Sequence, residues 1–379
     1  MRSESCDIFC TVVDNYGDIG VSWRLARQLF NEHGMVVRLW VDDLRSFGKL
    51  CPELDAAQDE QLCRGVEVRR WSDDFPTVES AELVIEAFAC TLPERYVTAM
   101  VARKRKPVWL NLEYLSAESW VEGCHKLPSP HPSLPLTKYF FFPGFTEKTG
   151  GLLLERDLLA RRDAFQANGA AQERYWRSLG VPERAAGEMR VSLFGYENEA
   201  MDGLLRGWEQ GVQPVTCLLP EGRSLPQVAA FFGQQTGKTG AIWQRGKLRV
   251  HVLPFVEQER YDELLWACDV NFVRGEDSCV RAQWAAKPFI WQIYPQHDGV
   301  HLEKLQAFMN LYCIGLSESA SQAVRALWLD WNRGDPAGQA WLEFMSCREE
   351  LQAQARVWAQ RLSGNNLALN LLDFSRQVA

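Results

Sequence analysis

RGEDSCVRAQWAAKPFIWQIYPQ, Arg274 to Gln296, is the stretch from which the fold is read. An apolar run, Asp269–Val273 (DVNFV), leads into Arg274-Gly275, and Glu276-Asp277-Ser278 then stand where a helix would begin. Ala282, Ala285 and Ala286 suit that helix, Lys287-Pro288 ends it, and Phe289–Tyr294 (FIWQIY) reads as a buried strand. Strand, polar loop, helix and strand make one βαβ unit of a parallel sheet. Ligands of open α/β sheets bind at the carboxyl edge of the strands, where this loop lies. A helix N-terminus there presents free N–H groups and the positive end of a dipole to an anion such as a diphosphate. Ser278 would add a hydroxyl donor. Capping alone also explains Asp277 and Ser278, with no ligand involved.

The chain opens on a similar unit. Cys6–Val13 (CDIFCTVV) is a short apolar run that reads as the central strand, and the loop Asp14–Gly20 (DNYGDIG) follows it. A helix from Val21 is marked by Val21, Leu25, Leu29 and Phe30 on one face and ends at Gly34; Met35–Asp43 is the next strand. A dinucleotide site is disfavoured, because Gly17 and Gly20 do not make GxGxxG and Asp18 would repel a pyrophosphate. Asp14 and Asp18 instead form a carboxylate pair on a tight loop, able to accept a proton or to hold a cation. The plainer reading makes Asp18 an N-cap and Asp14 a turn residue.

Further strands are predicted at Val66–Trp71, Glu82–Phe88 and Pro107–Leu115. The basic run Arg103–Lys106 reads as a solvated helix end, with contact to an acidic protein partner as the alternative. Lys126–Phe145 is rich in proline and is expected to be extended, either a wall or lid of a site or a plain linker. A charged helical stretch, Glu155–Gly187, makes a joint, after which strands alternate with helices again: Met189–Asn198, Pro214–Gly222, Lys247–Val256, the helix Glu257–Asp269 and the opening stretch. The expected fold is therefore α/β, with two Rossmann-like domains across a cleft and C-terminal helices. Its divisions are 1–155, a joint at 156–187, 188–355, and helices over 356–379 that pack back on the first domain.

Composition narrows the function. The 379 residues are 46% hydrophobic and 24% charged with net charge −8, which fits a globular protein and argues against nucleic acid as the main ligand. No 18-residue apolar run and no apolar signal core are present, so neither a membrane span nor export is indicated, and a cytoplasmic location is expected. The 11 cysteines show no CxxC and read as reduced, buried thiols; most of the 15 tryptophans read as core. His297 and His301 have i,i+4 spacing but no HExxH or Cys partner, and no DxD triplet is present, so no metal is expected.

DNYGDIGVSWRLARQL, SLFGYEN and RGEDSCVRAQWAAKPFIWQIYPQ together resemble the bacterial elongation factor P arginine rhamnosyltransferases, and the likeness runs essentially along the whole chain. The resemblance implies a GT-B glycosyltransferase without a cofactor, whose donor substrate dTDP-β-L-rhamnose gives its sugar, with inversion, to one arginine of elongation factor P. It implies a protein-binding N-terminal domain and a nucleotide-sugar-binding C-terminal domain, and a monomer is expected. Asp18 then matches the general base and Asp14 the second loop aspartate. Phe194 and Tyr196 line the donor site, and Phe255, Gln258 and Tyr261 contact the nucleotide. Arg274, Gly275, Glu276, Asp277 and Ser278 form the donor loop, with Tyr294 the aromatic beyond the following strand. Glu276 is counted with the catalytic residues and would hold sugar or ribose hydroxyls. Three rival readings remain at this level: a nicotinamide or flavin oxidoreductase, a non-catalytic nucleotide-binding partner of a ribosomal factor, and a glycosyltransferase with another donor or acceptor.

Overall fold

The computed structural model describes residues 4–13, 16–296 and 299–379. The chain divides into two compact units, Met1–Arg156 with Leu362–Ala379, and Asp157–Arg361.

The strands of the first unit are β1 (Ser5–Cys10), β2 (Val36–Val41), β3 (Glu60–Cys63), β4 (Val66–Arg70), β5 (Leu83–Ala87), β6 (Val108–Leu112), β7 (Pro128–Pro130) and β8 (Thr137–Phe141). They form a sheet in the order β3-β4-β2-β1-β5-β6-β8-β7. From β4 to β8 every pair is parallel, and only the edge strands β3 and β7 run antiparallel to their neighbours. Counting the parallel strands alone gives the doubly wound order, which reverses between β1 and β5. Strands buried on both faces need no alternation of apolar and polar residues. Cys6–Cys10, Leu83–Ala87 and Val108–Leu112 are accordingly buried throughout.

Lys126–Phe145 is not wholly a loop. Thr137–Phe141 is an interior strand beside β6, and the Pro-rich part is the edge strand β7. Prolines are tolerated there because an edge strand has ladder positions that need no N–H. Arg103–Lys106 follows the helix Glu94–Ala102, and Lys106 Nζ donates to the carbonyls of Val101 and Arg103, the latter at 2.9 Å, as expected for a cation at a helix C-terminus. The last helix, Leu367–Val378, belongs to this unit: Asn365 Nδ2 donates to Thr146 O at 2.8 Å and Arg376 pairs with Glu4 at 2.8 Å.

The loop between β6 and β7 contains a proton-sensitive contact. His125 Nδ1 accepts the Phe142 N–H at 3.1 Å, and its ring meets Phe141 edge-on. Burial, helped by the Lys126 ammonium, lowers its pKa from 6.5 to about 4. Between those values the unfolded chain binds a proton that the folded imidazole refuses. Stability from this group is therefore complete above pH 6.5 and declines as pH falls towards 4. His125→Gln keeps an acceptor for Phe142 and should flatten that part of the slope, read as the urea midpoint against pH. An unchanged slope would assign the acid sensitivity to other groups.

The second unit contains β9 (Met189–Leu193), β10 (Val215–Pro220), β11 (Ile242–Arg245), β12 (Leu248–Leu253), β13 (Val270–Arg274) and β14 (Phe289–Gln292). Their order is β11-β12-β10-β9-β13-β14, parallel except for β11, and it reverses between β9 and β13. The strand expected to reach Tyr294 stops at Gln292. Ile293 N–H turns instead to Asn332 Oδ1 at 3.0 Å, and Tyr294 is 40% exposed. Four helices, Val300–Tyr312, Glu318–Arg333, Gly338–Ser346 and Arg348–Leu362, bury Trp328, Trp331, Trp341 and Trp358. No helix among the described residues is long and apolar enough to cross a membrane. All 11 cysteines are free; Cys51 and Cys63 have their sulfurs 2.9 Å apart. Nearby Glu53 is paired with Arg64 at 3.1 Å.

Candidate active site

Each sheet reverses its strand order at one point, and the carboxyl ends of the flanking strands leave a crevice there that open α/β folds use for ligands. In the first unit that point lies between β1 and β5. The helix Gly17–His33 starts four residues earlier than the apolar periodicity indicates. Asp18 is thus its second residue rather than part of a preceding loop. Tyr16 occupies the N-cap position without a side-chain cap bond, which also removes the reading of Asp18 as an N-cap. Asp18 is 4% exposed, and its Oδ2 accepts the Val13 N–H at 2.8 Å, which fixes the carboxylate against the end of β1. The helix dipole favours its negative charge. Asp42, just past β2, accepts the Val12 N–H at 2.9 Å and steadies the same turn. Asp14 and His297 lie outside the described residues.

In the second unit the reversal brings together the segments after β9 and β13. Phe194 N–H donates to Phe272 O at 3.0 Å, and Tyr196 N–H donates to Gln292 Oε1 at 2.8 Å. Gln292 thereby ties the SLFGYEN loop to the end of β14. A Cβ on Gly195 would stand 2.9 Å from that same Oε1, so a larger residue there would have to displace the Gln292 amide. The Arg274 guanidinium lies 4.6 Å from the Phe194 ring centre and 4.5 Å from that of Tyr196. Tyr261 meets Phe194 edge-on at 5.7 Å, and Tyr294 meets Tyr196 likewise at 5.6 Å. Burial pushes the Tyr261 phenol well up, so it stays protonated. Four of the aromatic residues singled out in the sequence therefore surround or flank one cation. Phe255, half-buried, sits on the connection from β12 to the helix Gln258–Ala267.

Arg274 is 5% exposed, and among the described residues its Nη1 has no hydrogen-bond partner. A buried guanidinium nitrogen without a partner is costly unless a ligand supplies one. Gly275 follows with φ +60°, and its carbonyl accepts from Trp291 Nε1 at 2.7 Å. The turn delivers the chain to the helix Asp277–Trp284, with Glu276 at the N-cap position and no side-chain cap bond from it. Ser278 differs from expectation. Its hydroxyl donates to the Arg274 carbonyl and accepts the Arg274 N–H at 3.0 Å, so its proton is committed to shaping the loop. Asp277 accepts from Gln258 Nε2 at 3.3 Å.

One layer below, Arg281 and Asp262 form a two-pronged ion pair at 2.8 and 2.6 Å that is almost wholly buried. It locks the helix of the donor-loop motif to the helix Gln258–Ala267. Neither this pair nor Gln292 was singled out from sequence. The signal available was a charged or amide residue inside otherwise apolar stretches, FIWQ and SCVRAQW.

Comparison with known proteins follows the same lines. The chain matches CalG4, a calicheamicin glycosyltransferase, at 12% identity and TM-score 0.53 over 100% of this chain and 98% of that one, a likeness of fold alone. The architecture is that of GT-B glycosyltransferases. A solved structure concerned with EarP-mediated arginine glycosylation of translation elongation factor EF-P matches with TM-score 0.72 and 38% identity, covering 99% of both chains. The protein-arginine rhamnosyltransferases of Pseudomonas putida and Pseudomonas aeruginosa are 52% and 51% identical over 371 residues, 98% of each chain. The family profile described as Elongation-Factor P (EF-P) rhamnosyltransferase EarP matches residues 6–376. The chain belongs to the EarP family and is a glycosyltransferase.

Proposed function

We propose that this chain transfers L-rhamnose from dTDP-β-L-rhamnose to an arginine of elongation factor P, with inversion, without a metal ion, as a cytoplasmic monomer. The relatives' activity supports the reaction and the acceptor. The observation that carries the donor is the unpartnered, buried Arg274 Nη1 between the rings of Phe194 and Tyr196. It offers a fixed positive charge, and the first turn of the helix Asp277–Trp284 adds N–H groups and the dipole. Together they can neutralise a diphosphate as it leaves. Tyr261, Phe255 and Tyr294 offer apolar and stacking surface for a base, with Gln258 and Asp277 as polar contacts beside it. Glu276 suits sugar or ribose hydroxyls, since its charge would repel phosphate.

The acceptor nitrogen is a poor nucleophile, because guanidinium holds its proton with a pKa above about 12 and delocalises its lone pairs. Deprotonation before attack is out of reach of a carboxylate. Asp18, with Asp14, instead binds the cation by charge-assisted hydrogen bonds and orients one nitrogen. Asp18 takes the proton as the C–N bond forms and the bond to dTDP breaks. A single displacement on a β-linked donor leaves an α-linked rhamnose.

Arg274→Gln removes the cation but leaves a polar side chain. It should weaken dTDP binding by about tenfold or more, the cost of losing a charge-assisted contact. Calorimetry on the wild type and the variant reads this, and equal affinities would move the phosphate site elsewhere. Proton couplings at the anomeric centre of the product test inversion: a β-linked product would refute it. Activity that disappears with EDTA and returns with a divalent ion would refute metal independence.

A further inference from the structure

We infer that Cys51 and Cys63 are a site of reversible oxidation, where a disulfide staples the edge strand β3 to the helix Leu44–Leu50. Two elements bring the sulfurs together. The helix ends at Cys51, whose N–H donates to Phe47 O at 3.0 Å. β3 ends at Cys63, which pairs with Val66 across the turn Arg64-Gly65, where φ is +46° and +85°. Positive φ at both turn residues makes the tight hairpin that matches strand twist, and it fixes the face to which Cys63 belongs. That face is inward. Glu60 and Leu62 of β3 are exposed, whereas Cys63 is 3% and Cys51 0% exposed.

The two sulfurs lie 2.9 Å apart. Buried cysteine often serves as a small apolar side chain, a role that needs no contact between sulfurs. Forming a bond of about 2.05 Å asks each sulfur to move by only about 0.4 Å. A zinc ion, at about 2.3 Å from each sulfur, would instead spread them to about 3.8 Å. The carboxylate nearest to completing a metal site, Glu53, is held by Arg64 at 3.1 Å. Bond formation therefore suits the pair better than a metal does.

Hydrogen peroxide is small enough to serve as the oxidant. The Cys63 thiolate attacks one peroxide oxygen, the O–O bond breaks, and the departing hydroxide takes up a proton, leaving a sulfenic acid. The Cys51 sulfur then attacks the Cys63 sulfur, the S–O bond breaks, and the oxygen leaves as water with the Cys51 proton. Two thiols and one peroxide give one disulfide and two waters. Burial, with contact to Cys51 and the Glu53 charge, pushes the Cys63 thiol up to about 12 against the opposing Arg64, so little thiolate exists at neutral pH and the first step is slow. Access comes through local opening, because β3 pairs with β4 alone and residues 52–60 between the cysteines are largely exposed. Once formed, the bond closes a loop between residues 12 apart and restricts the unfolded chain. It also reinforces the support of the first helix, since Phe47 meets Trp23 edge-on at 5.1 Å and Trp23 shares the helix Gly17–His33 with Asp18.

The test treats the full-length protein with hydrogen peroxide at pH 8, blocks remaining thiols with iodoacetamide and maps peptides by mass without reduction. The expected product joins the peptides of Cys51 and Cys63 with the loss of two hydrogens, and dithiothreitol separates them again. The melting temperature should rise by roughly 5 °C or more on oxidation, and Cys51→Ser and Cys63→Ser should each abolish the rise. If the serine variants do not fold, the peptide map and the melting shift of the wild type decide. Both thiols alkylated after treatment, or one carried to sulfinic acid without a link, would overturn the site. A link that leaves the melting temperature unchanged would overturn the staple. Zinc bound one to one, shielding these two thiols from iodoacetamide and from peroxide, would replace the disulfide with a metal site.

Discussion

Asp18→Asn is expected to leave folding and dTDP affinity intact while lowering kcat by about 10²–10⁴-fold, the usual contribution of a positioned general base. The reasons are local. Asp18 Oδ2 accepts the Val13 N–H at 2.8 Å, and an asparagine carbonyl oxygen can accept the same bond, so the turn after β1 survives. What disappears is the negative charge at the helix N-terminus and with it the ability to receive a proton. The acceptor cation would lose affinity too, so the KM for the protein acceptor should rise. The donor contacts proposed above come from other residues, which is why dTDP binding should be unmoved. Single-turnover rates at saturating substrates check this, and a kcat near wild type would make some other group the base.

The second large effect concerns stability. Arg281 and Asp262 are 1% and 3% exposed in their side chains and are bound by two hydrogen bonds. Removing one partner of such a pair strands a buried charge, and Asp262→Ala should cost about 3–5 kcal/mol. The loss would fall on the second unit and loosen the helix that begins at Asp277. Replacing both, with Arg281→Met and Asp262→Leu, should recover most of the loss, since buried ion pairs exchange for apolar pairs at little cost. Chemical denaturation of the two singles and the double closes the cycle. A single variant as stable as wild type would mean that the charge is compensated by other groups in the folded state.

Much of the fold could be read from sequence for a physical reason. The parallel strands are buried on both faces and leave mostly apolar runs, such as Cys6–Cys10, broken only by Asp7, and Val270–Val273, broken only by Asn271. Edge strands leave no such mark. Glu60–Cys63 and Ile242–Arg245 are only four residues long and leave Leu62 and Ile242 exposed, and Pro128–Pro130 lacks strand propensity, so β3, β11 and β7 emerge only from pairing. The start of the first helix was misplaced because Gly17-Asp18-Ile19-Gly20 reads as a turn. Tertiary burial of Asp18 and Ile19 overrides the glycines' poor propensity.

The donor-loop residues stood out because charge and hydroxyl groups cluster where a helix begins. Their division of labour did not. Ser278 has the composition of a phosphate ligand, but its hydroxyl is spent on the Arg274 backbone. Among the described residues Arg274 Nη1 has no partner, and only three-dimensional packing shows which polar atoms already have one.

The most direct measurement is the intact mass of elongation factor P after incubation with this protein and dTDP-β-L-rhamnose. The proposal requires a gain of one deoxyhexose, localised to an arginine by fragmentation and absent with Asp18→Asn. An unchanged mass with a folded, dTDP-binding protein would contradict it, leaving a nucleotide-sugar site whose acceptor lies elsewhere.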